Sequence, residues 1–442
     1  MKQSSRTIRV LVAVIALGAV VATFPAMAGA ANEKPKATEV GVDSGTIHIA
    51  TVADVDNPIA PGLFTGGVDG VRGAVALINK QGGIGGRKVV MDFIDSKLNP
   101  NETRNGFITA CGQDFALVGT GAFLVTNIDD IVGCKDQAGQ TTGLPDIPAV
   151  TSGYLDACGS VIYPLNGSQI DCSTQNQTPQ KYVGLYADSK YLNKKYGPLH
   201  GTLIVSSDSK ATQRSSTVLG LFAQKAGIKI GHTIPMTSRA TQTQYTPVIQ
   251  QIKSGGDNYN LTGTPADNVI EMRQEAQLQG LNDPKFAWTC LLQCYDKALV
   301  DAGSVVDNTR VSMSYLPFEE AKSNKMLANF VKYVGKDKIN GFAMWGFAST
   351  LLFQQVANQV VKEKGVNGLT RANFLAAMKA THTFNAGGMY GTVDPGSKLP
   401  TDCFMILNLK GGKFVREYPT KVGTMDCKPT NRITIEADLN NL

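Results

Sequence analysis

The sequence lacks the short motifs that mark common enzyme chemistries. It has no G-x-x-x-x-G-K-[ST] phosphate loop, no H-E-x-x-H zinc helix and no G-x-S-x-G nucleophile elbow. Histidine is scarce, with only His48, His200, His232 and His382. His48 and His232 fall in strand-like runs and read as packed or edge residues, whereas His200 and His382 fall near turns. No serine or cysteine has an evident histidine partner along the chain. There is also no run of Lys or Arg, so the charges read as a solvated exterior and not as a nucleic-acid footprint. After residue 24 no long apolar stretch occurs. The first cysteine is Cys111, which excludes a lipid-attachment cysteine near the start.

An export signal fills the opening. Lys2, Arg6 and Arg9 form a positive n-region, residues 10–24 an apolar core, and Ala26-Met27-Ala28 or Ala28-Gly29-Ala30 a small-x-small cleavage site. The apolar run is short for a span of ~20 residues, so a cleaved signal over residues 1–30 is expected rather than an anchor. Losing those three cations takes the formal net charge from +6 to near +3. The mature chain is then expected in the periplasm or secreted. Eight cysteines suit that compartment. They lie as sequence neighbours: Cys111 with Cys134, Cys158 with Cys172, Cys290 with Cys294, Cys403 with Cys427. Local disulfides are the simplest pairing, although sequence leaves connectivity open. Cys290-x-x-x-Cys294 lacks a second close pair and does not read as a zinc site.

The remainder alternates strands and helices. Residues 46–52 are β-branched and apolar, a buried strand. Val68, Val71, Val75 and Ile78 recur as one helical stripe, closed by Gln81-Gly82-Gly83. Residues 88–95 give the next strand, so the opening is a βαβ unit with parallel strands. The rhythm predicts a helix at 100–111, a strand at 115–118, a helix at 128–140 and a strand at 147–151. Residues 152–179, rich in Gly, Ser, Asn and Gln, break it and read as a crossover. A second series follows: helix 182–196, strand 201–205, helix 213–226, strand 228–234, helix 245–254, strand 259–262, helix 267–279 and strand 286–289. A return is expected near 315–318, then helices at 324–334, 343–362 (apolar nearly all round, hence buried) and 371–380. A turn-rich stretch at 387–396 leads to strands over 403–414. The fold class is α/β: two doubly wound parallel-sheet lobes joined by a three-segment hinge. Residues 31–44 read as a flexible lead, 45–165 plus 316–397 as lobe one, and 166–315 plus 398–442 as lobe two.

Pro58-Ile59-Ala60 after the first strand, and Ile78-Asn79-x-x-Gly82-Gly83-Ile84-x-Gly86 closing the first helix, carry a family likeness. The chain resembles type I periplasmic solute-binding proteins of ABC transporters, the leucine/isoleucine/valine-binding group, more weakly out to about Phe414. The resemblance implies a monomer that captures a small molecule by hinge closure and delivers it to a membrane ABC permease, with no cofactor, metal or nucleic acid, and no enzymatic activity. Cys111–Cys134 is similar to a disulfide of the family's first lobe. The alternative is a sensing protein that docks on a membrane receptor; an extracytoplasmic enzyme comes after both.

A cleft between such lobes is lined by loops at strand ends. Those loops supply Asn57 and Phe64; Phe123 and Thr126; Thr151, Ser152 and Tyr154; Asp208 and Thr212; Thr262; and Trp288, Tyr295 and Asp296. Asp54, Lys210, Thr264, Asp267 and Gln293 lie beside them. Hydroxyls and amides suit a polar head, aromatics an apolar body. Several are equally good caps, Thr264 and Asp267 above all. Thr151-Ser152 keeps the hydroxyl pair of the amino-acid binders. GTGAFLVT at 119–126 is bulkier than their serine-rich loop, and Cys290-Leu291-Leu292 stands where they carry an acid, a role Asp296 is placed to take. The resemblance thus implies a small, partly apolar acid or amide as much as a branched-chain amino acid.

Overall fold

The computed structural model describes residues 33–58, 60–174 and 177–439. The expected signal segment lies outside them. Thr46–Ala53 (β1), Thr65–Lys80 (α1) and Lys88–Asp95 (β2) form the βαβ unit. Pro100–Gln113 (α2), Ala116–Val118 (β3), Asp129–Val132 (α3) and Asp146–Ile147 (β4) complete the first sheet, followed by Leu155–Cys158 (α4). The strand order is β2-β1-β3-β4, all parallel. Local chemistry explains the boundaries. Asn99 caps α2 by accepting from Asn101 and Glu102, with Pro100 in the first turn, where its missing N–H is harmless. Gly82 and Gly83 take φ of 102° and 77°, which ends α1.

The second series runs Gln180–Leu185 (β5), Ala187–Tyr196 (α5), His200–Ser206 (β6), Lys210–Lys225 (α6), Lys229–Met236 (β7), Thr246–Ser254 (α7), Tyr259–Thr262 (β8), Ala266–Leu278 (α8), Ala287–Cys290 (β9), Lys297–Asp301 (α9) and Thr309–Met313 (β10). Lys325–Val334 (α10), Gly341–Lys364 (α11) and Arg371–Lys379 (α12) return to the first sheet, where Phe353 and Phe374 meet Phe115 edge-on. Cys403–Lys410 (β11), Lys413–Tyr418 (β12), Asp426–Cys427 (β13) and Arg432–Ala437 (β14) close the chain. The second sheet is ordered β12-β11-β10-β9-β8-β6-β7, with β13 beside β11. Its strands β6 to β10 pair in parallel, and β11 and β12 add an antiparallel edge. All four expected disulfides are present.

Three segments differ from the sequence expectation. The helix placed at 128–140 stops after Val132. Gly133 ends it, Cys134 is tied back to Cys111, and the Asp136 carboxylate gathers Ala138 N, Gln140 N and Thr142 Oγ1 into a turn. The strand placed at 147–151 ends at Ile147, because Pro148 has no N–H to give the ladder. The helix placed at 182–196 is a strand and then a helix: β5 pairs antiparallel with β14, Tyr182 opposite Ile435.

Three chain segments pass between the sheets, and hydrogen bonds join them laterally. Tyr315 bridges Tyr390, Leu316 N donates to Met389 O at 2.9 Å, and Gly391 N donates to Ser314 O at 2.6 Å. Ser168 N donates to Lys398 O at 2.8 Å. Two buried arginines fasten the first sheet to its late helices. Arg371 spends all five N–H groups on Phe115 O, Cys134 Sγ, Lys135 O, Cys111 O and Asp114 O. Arg87 reaches Asp43 O, Lys36 O and Val366 O.

Helices α1 and α11 meet through glycine. A Cβ on Gly70 would stand 2.0 Å from Ala343 O, and one on Gly346 2.1 Å from Gly67 O. Gly112, exposed near the end of α2, has nothing within 4 Å of its Cβ position. Gly70→Ala should therefore lower stability by about 2 kcal/mol through forced separation of the helices, while Gly112→Ala should raise it by about 0.5–1 kcal/mol through helix propensity. Urea unfolding of both variants checks this; equal effects would contradict the close packing.

Candidate functional site

In open α/β sheets, ligands gather at the carboxyl ends of strands where the order reverses. That point lies between β1 and β3 in the first sheet and between β6 and β8 in the second. At the first, Asp54 is fully buried and accepts from Ser96 Oγ at 2.6 Å, Leu98 N at 2.7 Å and Phe123 N at 2.8 Å. It binds three loops together and is not free for a ligand. Above it Phe64 packs against Phe123 and Phe342, each at 5.0 Å, and Phe342 against Trp345 at 5.7 Å.

Beside this aromatic wall a mostly apolar cavity of about 360 Å³ opens between the two sheets. Val150, Thr151 and Ser152 line it from the first sheet, β5 and α6 from the other side, and Leu291–Gln293 and Trp345 close it. Two residues of its lining carry donors without acceptors. Arg214 Nε, on the first turns of α6, is shut off from solvent and has no hydrogen-bond partner. Trp345 Nε1 is likewise buried and unpaired; it approaches the Tyr390 hydroxyl without the geometry of a hydrogen bond. The Arg214 charge lies close enough to Tyr182 to offset part of the upward push of burial on that phenol. Asp188 also lines the cavity; its carboxylate accepts from Ser312 Oγ at 2.8 Å and Ser189 N at 2.7 Å, and burial raises its pKa. A larger groove of about 600 Å³ lies on the outer face by α5 and β12, flanked by Lys190 and Lys194. The inner cavity is the better site because it alone holds the two stranded donors.

Of the thirteen residues proposed from sequence, Thr151 and Ser152 line this cavity. Ser152 is set there by Asp156, which accepts from Ser152 N, Ser152 Oγ and Gly153 N. Gln293, named beside them, also lines it. The others do not. Asn57 closes its own loop onto Ala60, and Phe64 and Phe123 form the wall behind. Thr126 is exposed away from the cavity, and Tyr154 packs toward Ile170 and Ile433. Asp208 holds the turn at Thr237 and Ser238, and Thr212 completes a capping box with Ser209. Thr262 donates to Asn260 Oδ1 inside the second sheet. Trp288 stacks on Phe286 at 4.2 Å under Arg273. Tyr295 donates to Glu319 and accepts from Phe318 N, and Asp296 caps α9. Arg214 lines the cavity and is not among the residues named from sequence. Its spacing from Val218 and Phe222, one helical turn each, was the available signal that it sits on the buried face.

Buried acids around the site give it a pH signature. Burial pushes Asp146 up to about 7, against the pull of Thr120 Oγ1, which donates at 2.8 Å. An unfolded Asp titrates near 3.9. A raised folded value means stability that is full below about pH 4 and is lost progressively as pH rises toward 7. Wild-type urea midpoints should fall between pH 5 and 7, and Asp146→Asn should flatten that slope by roughly 1 kcal/mol per pH unit. A midpoint that rises with pH across this range would reverse the sign and refute the assignment.

A profile of the family described as periplasmic binding protein matches residues 174–413, more than half of the chain. No curated protein sequence matches significantly. Among solved structures, the chain is similar to a fatty acid ABC transporter substrate-binding protein from Thermomonospora curvata, with 14% identity, 87% of this chain and 97% of that one covered, and TM-score 0.64. It is similar to a solute-binding protein from R. palustris in complex with 4-hydroxybenzoate (14% identity, 84% and 95% covered, TM-score 0.62). It is also similar to the branched-chain amino acid transporter substrate-binding protein LivJ from Streptococcus pneumoniae in complex with isoleucine (15% identity, 84% and 97% covered, TM-score 0.62).

Proposed function

The chain belongs to the periplasmic binding protein family, and on that premise we propose that it is the extracytoplasmic substrate-binding component of an ABC transporter, taking up a small amphipathic carboxylate. The observation that carries this reading is the unpaired Nε–H of Arg214, a residue that lines a mostly apolar cavity. A buried donor without a partner costs about 1–3 kcal/mol, more when charged. A guanidinium recovers that energy best from a carboxylate. Trp345 Nε1 offers a second donor to the same acceptor-rich head, and Val218 and Leu292 suit an apolar body. The volume sits at the small end of the ~300–1,000 Å³ range of ligand cavities. A fatty acid, 4-hydroxybenzoate and isoleucine, the molecules for which the three similar structures are named or with which they are complexed, share a carboxylate on an apolar body.

Capture works by hinge closure between lobe one, residues 45–165 plus 316–397, and lobe two, residues 166–315 plus 398–442. Contacts made only in the closed state shift the population toward it. The cavity draws its lining from both sheets, which supports this division. The residues carrying the ligand are then Arg214, Trp345, Thr151 and Ser152, with Asp188 placed to take an ammonium if the ligand is an amino acid. Among the described residues, no helix is long and apolar enough to cross a membrane. In this reading the exported carrier, a monomer, delivers its ligand to a separate membrane permease.

Thermal unfolding against a panel of aliphatic and aromatic acids, keto acids, amino acids, amides and sugars tests the proposal. A carboxylate at a hundred times its dissociation constant should stabilise the fold by about 2.7 kcal/mol, and Arg214→Ala should weaken it at least tenfold. Shifts confined to amides or sugars, or carboxylate binding untouched by Arg214→Ala, would overturn the assignment. Asp188→Asn sorts the class: it should weaken amino acids and leave simple acids unchanged.

A further inference from the structure

At the end of the first sheet opposite the cleft, three side chains with metal-binding chemistry converge. They are His48 of β1, Asp92 of β2 and Asp114, the residue that ends α2, and their ligand atoms all lie within 4.8 Å of one another. The topology dictates the meeting. Parallel register sets Ala50 opposite Asp92, so Asp92 and His48 share a face two residues apart. Phe115 N donates to His48 O at 2.8 Å, which draws Asp114 alongside. His48 Nδ1 stands 2.7 Å from Asp92 Oδ2.

Asp114 makes this more than a group of acidic residues. It is 1% exposed, and its Oδ1 has no hydrogen-bond partner. The neighbouring guanidinium of Arg371 does not satisfy it, since all five of its N–H groups go to carbonyls and sulfur, the Asp114 backbone carbonyl among them. A buried acceptor facing a second carboxylate and an imidazole is in want of a positive charge. The carboxyl end of α2 adds its partial negative charge.

We propose that His48, Asp92 and Asp114 bind a first-row divalent cation of the zinc type through one ring nitrogen and two carboxylate oxygens. For bonds of about 2.0–2.1 Å in tetrahedral geometry, ligand atoms stand about 3.3 Å apart. His48 Nδ1 and Asp92 Oδ2 stand 2.7 Å apart and all three ligand atoms lie within 4.8 Å of one another, so small rotations of the side chains close the site. A water completes the fourth position from the side where His48 and Asp92 are part-exposed. A mixed nitrogen and oxygen set of this size suits zinc or its neighbours over magnesium, which demands octahedral oxygen. The ion pins the α2–β3 junction to β1 and β2 and takes no part in cleft chemistry.

The test is calorimetric titration of the chelator-stripped full chain with zinc chloride, beside thermal unfolding with and without it. One equivalent should bind and raise the melting temperature, magnesium chloride should do neither, and His48→Ala and Asp114→Asn should each weaken zinc at least tenfold. Asp92→Asn, a substitution at a half-exposed strand position, keeps the test valid if a buried substitution fails to fold, and it too must weaken zinc. If the cluster holds a shared proton only, zinc neither binds nor shifts the melting temperature and the proposal falls. It falls equally if any folded variant of the three retains wild-type zinc affinity.

Discussion

A guanidinium sealed from water costs stability for every N–H group it leaves unpaired. Arg371 avoids that cost by drawing five partners from the α2–β3 turn, the Cys111–Cys134 disulfide and the segment behind it. Its own backbone N–H is held by Glu39, which also holds Gln137 N. Arg87 does the same for residues 36, 43 and 366. Between them, the two arginines couple the entry to β1 with helices that arrive more than two hundred residues later. On the face of the first sheet that α1 covers, α11 and α12 complete the core, arriving after the whole second series has been threaded.

Much of this architecture was legible because its elements advertise themselves by period. Runs such as Thr-Ile-His-Ile-Ala-Thr-Val give a buried strand, and Val68, Val71 and Ile78 give a buried helical stripe. The misread segments are those where a distant partner decided the outcome. Residues 182–185 have no local reason to be a strand; β14, some two hundred and fifty residues downstream, supplies the ladder. Residues 133–140 carry a mild helical pattern that a disulfide and one turn-forming carboxylate override. The glycines of α1 find their purpose in the approach of α11, which no local pattern announces.

The cleft was harder to read than the fold for a related reason. Sequence reasoning looked to loops at strand ends, and many of those residues proved to be capping or tying the loops: Asn57, Asp208, Thr212 and Asp296 each satisfy backbone or hydroxyl groups nearby. The stranded donors came instead from within helices α6 and α11, whose side chains face inward. Hydroxyl-rich rims hold the backbone steady, while the electrostatic demand comes from behind them.

The three passages between the sheets are stitched edge to edge, Tyr315 to Tyr390 and Ser168 to Lys398. A ribbon of that kind folds readily about a line across its width but resists shear and twist within its plane, because either would break the lateral bonds. The protein thus has one soft mechanical coordinate. Any movement of one sheet against the other is thereby channelled into a bend about that line.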